Sequence, residues 1–321
     1  MNHLPGARRS PVLTTAAMAA AALVLSACGG ESSASSPSSS SSAAAEDSPV
    51  STAFGDVAVP GDPERVVTLA ESALDVSLAV GVTPVGTTAS RGGDSAPAYL
   101  GDAAADIPIV ATVNEPNLEA ILEAQPDVIL ASAGMAQDQY DALTAIAPTV
   151  VPEASTGGDW QAPLHTYAEA LGADDELTTA LDDVTGRAEA LAEEGSLEGS
   201  AAVLRWMATG PVLMNSALMP GALLQTAGAT PVEAADLGSR PHSDPLSLEN
   251  LAQVDADRLF LAAFGADGTG ALESARSQPA FTQLAAVQNG TTTEVNGSVW
   301  SSAAGPIAAD LVMDDIEAAV S

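Results

Sequence analysis

One short pattern occurs twice, 130 residues apart, and it constrains the fold more than any other feature of the chain. The first copy runs Asn117-Leu118-Glu119-Ala120-Ile121-Leu122 and resumes at Asp127-Val128-Ile129-Leu130-Ala131. The second runs Ser247-Leu248-Glu249-Asn250-Leu251-Ala252 and resumes at Asp257-Arg258-Leu259-Phe260-Leu261. Each copy reads as a helix start followed by a buried strand. Asn117 and Ser247 are good N-caps, because a side-chain oxygen can accept an orphan N–H of the first turn. Leu118, Ile121 and Leu122 mark one helical face, and each Asp precedes an apolar run of strand length. A second echo pairs Gly81-Val82-Thr83-Pro84-Val85 with Gly228-Ala229-Thr230-Pro231-Val232. Two similar α/β lobes are therefore expected, and clefts between lobes are where ligands bind.

Strands alternating with helices imply mainly parallel sheets with right-handed crossovers. In the first lobe, strands are expected at 65–69, 82–87, 107–110 and 149–151, with helices at 74–80 and 137–147. The second lobe repeats the order, with a strand at 203–207, a helix at 221–227, a strand at 230–232 and a terminal helix from Pro306. Between the lobes, Leu177, Leu181, Val184, Ala188 and Leu191 step by four, three, four and three, which draws one stripe along a long helix that Gly195 ends. The expected organisation is a signal peptide at 1–27, a Ser-rich flexible tether at 28–53, an N-terminal α/β lobe at 54–160, a rigid connecting helix at 161–198 and a C-terminal α/β lobe at 199–321.

Charge narrows the partners. The chain carries nine arginines, no lysine and 42 acidic residues. Removing residues 1–27 takes Arg8 and Arg9 and leaves a net charge of −35. Such a surface repels nucleic-acid phosphates. The single cysteine speaks to localisation. Arg8 and Arg9 form a positive n-region, Val12 to Leu25 an apolar h-region, and Leu25-Ser26-Ala27-Cys28 is similar to a bacterial lipobox. The h-region is too short to span a bilayer. Cys28 is then the lipidated N-terminus, and 29–49 is a Ser/Ala/Gly tract suited to a tether. An ordinary signal peptide that happens to contain Cys is the competing reading.

Several segments together resemble the substrate-binding proteins of ABC importers for ferric siderophores and cobalamin, the class III periplasmic-binding-protein family. They are the lipobox and tether, Pro63-Glu64-Arg65-Val66-Val67, Leu78-Ala79-Val80-Gly81-Val82-Thr83-Pro84-Val85-Gly86, the two repeat copies, and Val295-Asn296-Gly297-Ser298-Val299-Trp300. The resemblance covers about 54–321. It implies two Rossmann-like lobes joined by one long helix, a ligand cleft between them, no catalysis and no covalently bound cofactor. A monomer is expected, lipid-anchored through Cys28 on the outer face of the cell membrane of a high-GC Gram-positive bacterium. Such a protein hands an iron(III)-siderophore chelate to an ABC permease, with cobalamin or haem as alternative cargo. In this family one acidic residue per lobe docks onto permease arginines, and motif match gives Glu119 and Glu249. Dipole compensation is the competing account, since Glu is favoured in a first helical turn.

In parallel α/β sheets ligands meet the loops after the carboxyl ends of strands. Arg91 and Arg240 fall in such loops, and Arg205 lies in a strand leading to one. Guanidinium groups suit carboxylate, catecholate or hydroxamate oxygens. Trp160 and Trp300 fall in expected cleft loops, and His242 lies beside Arg240. The competing readings are surface ion pairs for the arginines, core packing for the tryptophans and an incidental role for the histidine. Trp206 is expected to be buried, and Arg187 and Arg258 to offset local acids. Some ferric-hydroxamate binders carry a basic residue where this chain has Val113. No G-x-S-x-G, Walker loop or dinucleotide fingerprint is present, which disfavours an enzyme. Two histidines and three tyrosines beyond the signal region are a thin supply for direct capture of a bare metal ion.

Overall fold

The computed structural model describes residues 47–112, 115–155 and 158–321. Cys28, the lipobox, and Val113 lie outside the described residues. All described residues belong to one compact unit.

The chain enters through a hairpin, β1 (Ser48–Thr52) against β2 (Gly55–Val59). This corrects the expected tether, whose last residues are structured. Val50 is 2% exposed and packs into the first lobe's core, so the alternation in Ser48-Pro49-Val50-Ser51-Thr52 is that of a half-buried strand.

The N-terminal lobe is built on β3 (Val66–Thr68), β4 (Gly86–Thr88), β5 (Ile109–Thr112), β6 (Glu115–Pro116), β7 (Val128–Leu130) and β8 (Thr149–Val150). Their order is β6-β5-β4-β3-β7-β8, parallel except for β6. The C-terminal lobe uses β9 (Gly199–Met207), β10 (Gly210–Leu213), β11 (Ala229–Pro231), β12 (Arg258–Ala263) and β13 (Thr292–Asn296). Here the order is β10-β9-β12-β13, with β11 beside the first residues of β9 and β10 antiparallel to its last. Residues 208–209 make the tight turn of the β9–β10 hairpin.

Period-two alternation gives each sheet two cores. On β9, Ala201 and Val203 face one cluster while Ala202, Leu204 and Trp206 face another. On β7, Val128 and Leu130 face one side and Ile129 the other. Both faces are covered, which is why these strands are near-continuous apolar runs.

The repeat's aspartates have a matched structural task. Asp127 accepts the backbone N–H groups of Glu64 and Arg65 at 2.8 and 3.0 Å, just before β3. Asp257 accepts the N–H and hydroxyl of Ser200 at 2.7 and 2.8 Å, at the start of β9. Each therefore aligns the repeat strand with its parallel neighbour. The helices of the two copies differ. Asn117 caps Leu118–Glu123 by accepting the Ala120 N–H at 3.1 Å. The second copy is a 3₁₀ helix, Leu248–Val254, and Ser247 makes no side-chain cap.

The expected connecting helix is two helices, Ala162–Ala170 and Asp174–Glu194. Gly172, at φ +65, turns the chain between them. All five stripe residues of Asp174–Glu194 are buried. Leu177 and Leu181 join an N-terminal-lobe core, whereas Val184, Ala188 and Leu191 join a C-terminal-lobe core. One helix thus belongs to both lobes, and it ends on Gly195 in the left-handed conformation. The terminal helix Pro306–Val320 packs beside it. Arg187 secures the pair through Asp310, Asp314 and Glu317.

Candidate functional site

A cleft lined by both lobes holds two adjoining compartments of about 490 and 500 Å³. Ser72, Arg91, Ser132, Ala133, Ser302 and Ala304 line both. The structure brings all six sequence-derived ligand candidates to the larger one: Arg91, Arg205, Arg240, Trp160, His242 and Trp300. A further void of about 20 Å³ inside the C-terminal lobe has room for about one water.

The elements explain how the arginines arrive. Arg91 follows the carboxyl end of β4, and its backbone N–H donates to Glu71 Oε1 at 2.6 Å. Arg205 sits near the carboxyl end of β9, 9% exposed, with its guanidinium 4.2 Å above the Phe264 ring. Arg240 lies in a loop pegged by Asn215, which is 5% exposed. The Asn215 amide donates to the carbonyls of Gly238 and Arg240 at 2.9 and 2.8 Å. His242 extends this loop through a bridge to Met214, and its Nδ1 lies 2.7 Å from the Ser243 carbonyl.

The arginines divide into two groups by their partners. Arg65 donates to the Gln125 and Ala124 carbonyls at the end of the first repeat helix. Arg187 meets its three acids, and Arg276 pairs with Glu273 and Glu294. Arg258 donates to the Ala319 carbonyl at 3.1 Å, so it caps the terminal helix and does not offset acids as expected. The remaining three are those of the cleft. Among the described residues, the side chains of Arg91 and Arg205 have no ion pair, and Arg205 Nε is buried without a hydrogen-bond partner. Arg240 has a single 3.7 Å approach to Asp244, whose side chain is 96% exposed. An ion pair that loose adds little.

Local electrostatics follow. Burial pulls the Arg205 guanidinium below its ordinary range, and the nearby charge of Arg91 adds to the effect. Burial raises the Glu71 carboxyl, against the opposing pull of the Arg91 N–H and charge. Excess positive charge is thus concentrated at one place on a very acidic protein. Hydroxyl and amide groups of Ser72, Thr88, Thr112, Ser132 and Gln139 line the cleft around it.

The tryptophans separate. Trp160 is half-buried at the cleft and packs against the cores of both lobes. Trp300 is 1% exposed and stacked on Phe260 at 4.7 Å, with its indole N–H donating to Asp315 at 2.7 Å. It offers no ring face to a ligand, because the Val299–Trp300 region forms a short helix, Gly297–Ser301, in place of an open loop. Trp206 is 1% exposed and in the core. Glu119 and Glu249 are both exposed in the first turns of their repeat helices. Sequence reasoning did not single out Glu71, Asn215 or Phe264. None carries a motif; each acts on an arginine through the fold.

The family model described as "Periplasmic binding protein" matches residues 66–295. A Bacillus subtilis protein named "Probable siderophore-binding lipoprotein YfiY" is 32% identical over 270 residues, covering 81% of this chain and 83% of that protein. The Fe(3+)-citrate-binding protein YfmC of Bacillus subtilis is 29% identical over 251 residues, covering 77% and 78%. Among solved structures, Staphylococcus aureus SirA complexed with staphyloferrin B superposes with a TM-score of 0.74 at 24% identity, over 85% of this chain and 98% of that one. The last comparison establishes a shared fold.

Proposed function

We propose, for a chain that belongs to the periplasmic binding protein family, that it captures a negatively charged iron(III) chelate in the cleft and delivers it to an ABC permease. One observation carries this reading. Of the seven arginines beyond the signal region, the three without a strong structural partner all line one cavity, and they come from both lobes. Arg205 Nε is buried without a hydrogen-bond partner, a cost that an anionic ligand on the guanidinium would offset. An anionic chelate also gains from a local positive site on a chain that otherwise repels it.

The relatives' names support the cargo class, since one binds ferric citrate and another is named for siderophores. The iron is cargo and arrives inside its chelate. Arg91, Arg205 and Arg240 bind its anionic oxygens, Trp160 packs on its organic skeleton, and His242 borders the site. Glu119 and Glu249 dock one lobe each onto permease arginines. Cys28 carries the lipid that holds the protein at the outer face of the cell membrane, and the serine tract gives the domain reach.

A fluorescence titration tests the cargo. Ferric citrate and a panel of ferric siderophores should change the emission of Trp160, with cobalamin and haem as comparators. Saturable binding of cobalamin or haem with none of the ferric chelates would overturn the reading.

A further inference from the structure

Phe264 links the two halves of the arginine site. Its ring carries the Arg205 guanidinium at 4.2 Å from the centroid. Its backbone N–H donates at 2.9 Å to the carbonyl of Trp206, the residue after Arg205 on β9. The ring also lies near the loop that carries Arg91 from the other lobe, so that a Cβ added at Gly92 would stand 3.7 Å from Phe264 Cε1. Gly92 is at φ +80, so the loop's path there suits glycine. Phe264 also lines a side compartment with Glu71, Ser90, Arg91 and Ser302. One aromatic ring therefore lies against one site arginine and shares a compartment with the loop that carries the other.

Two like charges converge here, and the acid at this site, Glu71, sits on the Arg91 side, where it accepts the Arg91 N–H. Arg91 and Arg205 repel, and Arg205 Nε is buried and unpartnered. The negative face of an aromatic ring is the attractive group that holds Arg205 in this position among the described residues. It uses none of the guanidinium's N–H donors, so the terminal nitrogens remain available to a ligand.

We propose that Phe264 is a positioning residue for anion capture: its ring fixes the Arg205 guanidinium and spaces it from the Arg91 loop of the opposite lobe. The proposal rests on reading the cleft as the chelate site, and it goes further by naming what makes that site pre-formed. Without the ring, Arg205 is free to swing away from Arg91, and a ligand must restore the arrangement when it binds.

The test compares the full mature chain with Phe264→Leu and Phe264→Tyr. Leucine keeps apolar bulk and removes the π-face; tyrosine keeps the face. Ferric citrate affinity should fall about five- to thirty-fold in Phe264→Leu, the range of a partly desolvated cation–π contact, and should be largely restored in Phe264→Tyr. In parallel, phenylglyoxal labelling of Arg205, mapped by mass spectrometry without ligand, should be several-fold faster in Phe264→Leu than in wild type or Phe264→Tyr. Equal labelling rates in all three proteins would overturn the proposal. So would equal loss of affinity in Phe264→Leu and Phe264→Tyr, which would mean packing alone. If wild-type protein ignores every ferric chelate, the reading of the cleft fails, and the labelling rates then judge Phe264 by themselves.

Discussion

Asp75, buried on the first helix of the N-terminal lobe, accepts the backbone N–H of Ile307 at 2.9 Å, 232 residues away, at the start of the terminal helix. Its other oxygen accepts the Ala308 N–H at 3.0 Å and the Tyr99 hydroxyl at 2.8 Å. The terminal helix begins Gly305-Pro306, so it has no side-chain cap of its own. A carboxylate from the N-terminal lobe supplies the cap, where backbone N–H groups and the helix dipole favour negative charge.

Burial raises the Asp75 carboxyl from 3.8 to about 6, although three hydrogen bonds oppose the shift. Because the folded state holds this proton more tightly than the unfolded chain, its contribution to stability is full below about pH 4. It is lost as pH rises through about 6. The shift corresponds to about 3 kcal/mol at most. Thermal unfolding between pH 4 and 7 should therefore show a component in wild type that Asp75→Asn lacks. Parallel pH profiles for the two proteins would contradict this assignment.

Gly305 is required by the same contact. A Cβ there would overlap the Asp75 carboxyl group, which cannot withdraw while it holds three donors. Gly305→Ala should cost about 1–3 kcal/mol, the usual penalty of overpacking. Chemical denaturation measures it. A midpoint equal to wild type would mean that the lobes slide freely at this point.

Trp300 should behave as a structural residue. Trp300→Phe removes the N–H that Asp315 accepts and retains the stack on Phe260. About 1–2 kcal/mol of stability should go with that hydrogen bond. Chelate affinity should stay within about twofold. A large affinity loss at unchanged stability would return the ring to the ligand site.

Glu119→Arg with Glu249→Arg should abolish permease-dependent uptake and leave ligand affinity intact, because both side chains are exposed outside the cleft lining. Unchanged uptake would leave these glutamates with helix-dipole compensation alone. The two sites are not equivalent in their surroundings. Leu118 and Leu122, 41% and 60% exposed, flank Glu119, whereas Leu248 beside Glu249 is packed against its lobe's core.

The duplicated pattern made the two-lobe α/β architecture legible, and the strands fell near their expected places because apolar runs bounded by Gly, Pro and Asp admit few alternatives. Boundaries moved where proline intervened: the strand expected at 107–110 begins after Pro108, at Ile109. The helix expected over 161–198 breaks at Gly172, since the stripe pattern begins only at Leu177. The cleft position of Arg91, Arg205, Arg240 and Trp160 was readable because cations and aromatics are scarce and strand ends locate them. Asp75 left only a weak trace, an acid inside an otherwise apolar helical run, and its partners lie at the far end of the chain. Trp300 misled because Asn296 caps a short helix there, accepting the N–H groups of Ser298 and Val299, where a loop was expected.

The central claim is that three arginines without a strong ion-pair partner make the cleft an anion site for a ferric chelate. Titrating ferric citrate into wild type, Arg91→Ala, Arg205→Ala and Arg240→Ala tests it most directly. The account predicts saturable binding by wild type and a loss of about 1.5–3 kcal/mol in each variant, the usual worth of a hydrogen bond to a charged group. Wild-type affinity in all three variants would contradict it and would point to a neutral or cationic cargo held by other residues of the cleft.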